Sequence, residues 1–95
     1  MGQRDSSRHR KALGQVTSKD EIRATILALA AARGPQKTFC PSEVARALVE
    51  EWRDLMPLVR AEAGALVDAE LLRATQKGVE VDPRTARGAI RLGAP

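Results

Sequence analysis

The apolar positions change their period along the chain, and the change separates a helical part from a strand part. Ser18-Lys19-Asp20-Glu21 has the form of a capping box, in which the Ser18 hydroxyl accepts from the Glu21 amide and Glu21 reaches back to the Ser18 amide. Ile22, Ile26, Leu29 and Ala30 then recur at helical spacing, Arg33 falls in the last turn, and Gly34-Pro35 stops the helix. The pattern predicts a first helix over 19–33. Lys37-Thr38-Phe39 is short, β-prone and bounded by breakers, so it predicts a brief strand. Pro41 opens a second helix over about 41–50, because the first helical position needs no amide donor. Cys40, a poor cap residue, is left at the cap position. Glu43 suits the positive end of that helix, and Val44, Ala45 and Leu48 form its buried face.

A third helix is expected from 53–57 to about 69, with Leu55, Val59, Ala63, Leu66 and Val67 on one stripe. Gly64 inside it costs about 1 kcal/mol against alanine, which points to close packing there. After residue 71 the period drops to two. Leu72-Arg73-Ala74-Thr75-Gln76 and Val79-Glu80-Val81 alternate around a Lys77-Gly78 turn, so they read as a β-hairpin. Asp82-Pro83 starts a turn, with Asp82 as its cap, and Ala89-Ile90-Arg91-Leu92 is a last short strand. That strand could pair with the hairpin or with Thr38-Phe39. Three helices followed by a hairpin give the α+β winged helix-turn-helix plan, with helices two and three as the helix-turn-helix and the hairpin as the wing.

The runs Ile26-Leu27-Ala28-Leu29, Ala32-Arg33-Gly34, Lys37 to Leu48, Trp52-Arg53-Asp54-Leu55-Met56-Pro57, Gln76-Lys77-Gly78, Val81-Asp82-Pro83 and Ala86 to Leu92 together resemble the bacterial domain-of-unknown-function family three-two-five-three. The resemblance covers about residues 20–92. It implies a small, bacterial, winged-helix-like domain and carries over no activity.

Composition narrows the picture. Ninety-five residues make one domain, here 18–95, preceded by a basic tail over 1–17. Aromatic residues are 2% of the chain, Phe39 and Trp52 alone, so the core must be built from aliphatic side chains. The single cysteine, Cys40, excludes a disulfide scaffold and a cysteine-rich zinc site, and reads as a small buried hydrophobe. No apolar run reaches the length of a membrane span, and no signal peptide is recognisable, so a cytoplasmic protein is expected. Met1 to Ser6 fits a loose myristoylation pattern, but the Ala- and Arg-rich composition matches bacterial usage, where that modification is not expected. His9 reads as a solvated tail residue.

Charge is unevenly spread. Residues 1–17 carry four basic groups and one acid; 18–72 carry seven and nine; 73–95 carry five and two. Catalysis needs a nucleophile or an acid–base pair held in a pocket, and the chain has no Tyr, one tail His, one isolated Cys and no phosphate-cradling loop. Glu43, Glu50, Glu51 and Glu62 read as solvated helix-surface carboxylates. No enzyme, metal or cofactor is expected. Nucleic-acid binding is the first functional expectation, carried by Arg53 and Arg60 on helix three and by Arg73, Lys77, Arg84, Arg87 and Arg91 on the wing. Helix three argues against base readout, since Asp54, Glu62, Asp68 and Glu70 offset its arginines and it has no Asn, Gln, Ser or Thr. DNA binding would then be wing- and tail-led and weakly specific. The alternative is a protein-interaction module using the acidic helical face and the basic wing. Trp52 is expected as a core plug between helices two and three, with Met56 also in the core; an exposed Trp52 would be an interface anchor instead. A continuous basic face would favour nucleic acid, and arginines paired with Glu80 or Asp82 would argue against it.

Overall fold

A computed structural model describes residues 17–95. The expected tail, 1–17, lies outside the described residues except for Thr17. The elements are α1 (Lys19–Arg33), α2 (Pro41–Leu48), a 3-10 turn (Trp52–Leu55), α3 (Met56–Asp68), β1 (Arg73–Gln76), β2 (Val79–Glu80) and β3 (Arg91–Gly93). Three helices are thus followed by a small antiparallel sheet, the α+β winged-helix-like layout that the hydrophobic periods predict.

The local signals explain the element ends. Ser18 and Glu21 form the reciprocal capping box at α1, with backbone-to-side-chain distances of 3.0 and 3.1 Å. At α2 the Glu43 carboxylate accepts from the Cys40 amide at 3.1 Å, so a poor cap residue is helped by the acid three positions on. That helix ends at Leu48, short of residue 50, because Val49 turns to extended backbone and buries its side chain. α3 ends in a Schellman motif: the Leu71 amide donates to Leu66 and the Glu70 amide to Val67, both at 2.9 Å. Glu70 holds the left-handed conformation usually given to glycine, with φ 63°.

The sheet runs in the order β2-β1-β3. Thr75 faces Glu80 and Gln76 faces Val79, so the two-residue Lys77-Gly78 turn closes the hairpin with both residues at positive φ. β3 pairs with β1 and also, through the single bridge Phe39–Leu92, with the segment before α2. Both partners left open by the sequence are therefore used. The brief strand expected at 37–39 shrinks to Phe39, because Lys37 turns back to Gly34 and Cys40 already begins the cap of α2.

The core lies between the helices and the inner face of the sheet. Ile22 and Ile26 from α1, Val44 from α2, Val59 and Ala63 from α3, and Phe39, Ile90 and Leu92 are buried in one cluster. Glu62 departs from the expected solvated carboxylate. It is 6% exposed and accepts from Arg23 Nε at 2.6 Å. Position 62 falls three residues after Val59 and four before Leu66, so helical spacing puts it on the core stripe, where a charge needs a partner.

The loop between β2 and β3 crosses α3 as a strap. Arg60 gathers three of its carbonyls, donating to Pro83 at 3.4 Å, Ala86 at 2.7 Å and Gly88 at 2.6 Å. Gln76 donates to the carbonyls of Arg87 and Ala89 from the other side. Asp82 caps the turn as expected, accepting from the Arg84 amide at 2.9 Å. Gly64 is the crossing point: a Cβ there would stand 2.5 Å from Arg84 Nε, so the close packing expected at this glycine is packing against an arginine side chain.

Candidate interaction surface

Of the seven cations expected to meet nucleic acid, two on helix three and five on the wing, three are committed to the domain itself. Arg84 grips Asp68 at 2.9 and 3.1 Å and Asp82 at 2.9 Å. Hydrogen bonding to Asp82, then to Asp68, holds its guanidinium well above the usual arginine range, and the same contact with Arg84 holds the Asp82 carboxyl below the usual carboxylate range. Arg60, expected as a base reader, gives its donors to the strap carbonyls. Arg91 donates to the Thr38 hydroxyl at 2.9 Å, the Thr38 carbonyl at 3.0 Å and Cys40 Sγ at 2.9 Å.

The other four candidates stand apart. Arg53 lies over the Trp52 ring, its guanidinium carbon 4.5 Å from the centroid. Arg46 lies over the same ring at 4.6 Å. Trp52 is therefore neither a sealed plug nor a bare anchor; it is half-buried at the α2–α3 elbow and packed against the core, with two cations on its π-system. Met56 is also half-buried against the core. Arg73, Lys77 and Arg87 have no hydrogen-bond or ion-pair partner for their charged groups among the described residues. Gln76, next to Lys77 in the chain, donates to the Arg87 carbonyl.

The outward face of α3 carries Leu58, 46% exposed, with exposed Ala61 and half-buried Ala65 behind it. None of these side chains can donate or accept a hydrogen bond. A further cluster holds the start of α2. Arg33 meets Glu43 at 2.5 Å and also donates to the Thr38 carbonyl. The Arg33 hydrogen bond, followed by that of the Cys40 amide, lowers the Glu43 carboxyl below its ordinary range, and Arg33 is raised in turn. Residue spacing alone does not show this pair, whose members stand on two different helices.

Among the described residues no group of His, Cys, Asp or Glu is arranged to hold a metal ion, and no helix is long and apolar enough to cross a membrane.

Fold and surface together define a winged-helix-like α+β domain in which Arg60, Arg84 and Arg91 are turned to groups of the domain itself. The chain belongs to the family described as protein of unknown function (DUF3253), whose pattern matches residues 19–95. No curated protein matches it.

Proposed function

We propose that the domain is a binding module for a protein partner rather than a catalyst or a reader of nucleic acid. The observation that carries this reading is the state of the expected phosphate contacts. Arg60, Arg84 and Arg91 already hold carbonyls, carboxylates and a hydroxyl of the domain, so meeting a phosphate would mean giving those contacts up. The outward face of α3 adds support: Leu58, Ala61 and Ala65 offer apolar contact and no base-reading group. A cytoplasmic setting belongs to the same proposal.

A second reading keeps one favourable observation. Lys77, in the hairpin turn, and Arg87, in the strap, have their charges free among the described residues, which suits weak, wing-led contact with a phosphate backbone. One experiment separates the two readings. An amide-shift NMR titration with a random DNA duplex, at low and at physiological salt, is expected to leave residues 73–91 unmoved. Shifts concentrated there that fade as salt rises would overturn the protein-binding reading in favour of non-specific DNA binding.

A further inference from the structure

The sheet is open along β2, which is bonded on one side only in the order β2-β1-β3. Val79 pairs with Gln76 across the Lys77-Gly78 turn, and the Val81 amide donates to the Ala74 carbonyl at 3.1 Å. Hydrogen-bonded and non-hydrogen-bonded pairs alternate in an antiparallel ladder, so the backbone N–H and C=O of Glu80, opposite Thr75, point away from β1. Glu80 therefore offers one complete backbone rung to an added strand.

The two faces of β2 differ. Ala74 is buried in the core, so Val81 opposite it points to the inner face of the sheet, and Val79, two residues earlier, points the same way. Val79 is 66% exposed. Beside Val81 the sheet stands off the end of α3 and leaves a cleft of about 480 Å³, with Val67, Leu72 and Ala74 as its further apolar lining. Charge does not select what enters this cleft, since Asp68 and Asp82 are both bonded to Arg84 and Glu70 is offset by Arg73. Its aliphatic lining does. Strand alternation puts the Glu80 side chain on the outer face with Thr75, and its carboxylate has no partner among the described residues.

We propose that β2 takes up an extended segment of a partner protein with the pattern aliphatic–basic–aliphatic, its basic residue paired with Glu80. The proposal rests on the protein-binding reading above and names the chemistry of the partner. In an antiparallel pair centred on Glu80, the central residue of the partner exchanges both backbone hydrogen bonds with Glu80, and its side chain points with the Glu80 carboxylate to the outer face. The two flanking residues point to the inner face, one beside Val81 over the cleft and the other beside Val79. A lysine or arginine thus faces the unpartnered carboxylate, while two aliphatic side chains meet apolar surface. Main-chain pairing supplies affinity and the two faces supply selectivity, as in strand addition generally. A second copy of the chain fits less well, because pairing two β2 edges about the same rung sets Glu80 against Glu80, and like charges directly opposite are destabilising.

The test is an amide-shift titration of the full chain with the capped peptide Thr-Val-Lys-Val-Thr and three controls: Thr-Ser-Lys-Ser-Thr, Thr-Val-Glu-Val-Thr, and the first peptide N-methylated at the lysine amide. The first peptide is expected to give saturable shifts at Leu72, Ala74, Glu80 and Val81. The serine peptide should bind about fivefold to tenfold more weakly, through lost apolar burial. The glutamate peptide should bind about threefold more weakly, and the N-methylated one, which lacks the donor to the Glu80 carbonyl, should give no saturable shifts. Glu80→Lys, at an exposed site, should reverse the preference between the lysine and glutamate peptides. No saturable shifts with the first peptide, equal affinity of the valine and serine peptides, binding that survives N-methylation, or an unchanged charge preference in Glu80→Lys would each overturn the assignment. Dilution-dependent shifts along β2 in the free chain would give the edge to a second copy and overturn it too. Peptide shifts confined to another surface would also overturn it while leaving the protein-binding reading intact. Only the DNA titration above bears on that reading itself.

Discussion

The sheet is fastened to the helices at two places by different physics. At one, Phe39 and Leu92 exchange backbone hydrogen bonds of 2.8 and 2.7 Å, and both side chains are buried with Ile22, Ile26 and Ile90. At the other, the strap after β2 is tied to α3 by the Arg60 guanidinium and by Arg84 against Asp68, with Pro83 as its buried side chain. The first attachment removes apolar area from water and owes little to charge. The second depends on hydrogen bonds and on ion pairs at a partly exposed surface, where each contributes modestly. What it decides instead is which cations remain available to a partner. A wing that looks basic as a count of residues is, at its base, close to neutral as a surface.

The sharpest way to break this comparison is Phe39→Ala. Removing the largest fully buried side chain should cost about 3–5 kcal/mol. That is a large share of the roughly 5–10 kcal/mol expected for a domain of this size, so the urea midpoint near neutral pH should fall steeply. A loss smaller than that from disrupting the strap would reverse the ranking of the two attachments. Arg60→Met comes next. It keeps an apolar stem of similar length but loses the carbonyl contacts, and should cost about 1–2 kcal/mol. Hydrogen exchange should speed up at amides 84–88 while those of Ile26 and Val59 keep their protection relative to global unfolding. Uniform loss of protection would show that the strap is not a separate unit.

The smallest effect is that of pH. Glu43 and Asp82 both titrate lower in the folded chain than unfolded, Glu43 through Arg33 and Asp82 through Arg84. Their contribution is therefore present above the unfolded carboxyl range and is lost as pH falls through the folded values, from about pH 5 downward. A modest fall in the urea midpoint is expected over that window, and it should flatten in Glu43→Gln. A midpoint insensitive to pH from 6 to 3 would contradict the ion pairs at both ends of the sheet.

Much of the fold is readable from spacing. The α1 capping box, the Gly34 stop and the Lys77-Gly78 turn are local patterns, and each acts through groups a few residues apart. Glu62 carried a signal as well, since a charge at core spacing between Val59 and Leu66 implies a buried partner. That partner, Arg23, is 39 residues away, and the sequence does not mark it. The cleft beside β2 is less legible still. Its walls come from α3, the hairpin and residue 95, and nothing in any one of these segments indicates an opening between them.

The sequence by itself determined the order of elements, the three helices and the hairpin, because helix caps, turns and hydrophobic periods act within a few residues. It also set the number of charges in each zone. Only the tertiary structure decided what those charges do. Arg60 meets carbonyls 23, 26 and 28 residues along the chain, Arg84 meets Asp68 across 16, and Arg91 meets Thr38 across 53. Contacts at such separations follow from how the strap and the sheet pack on the helices. Whether an arginine is free for a partner or bound to its own domain is therefore settled by packing and not by its place in the chain.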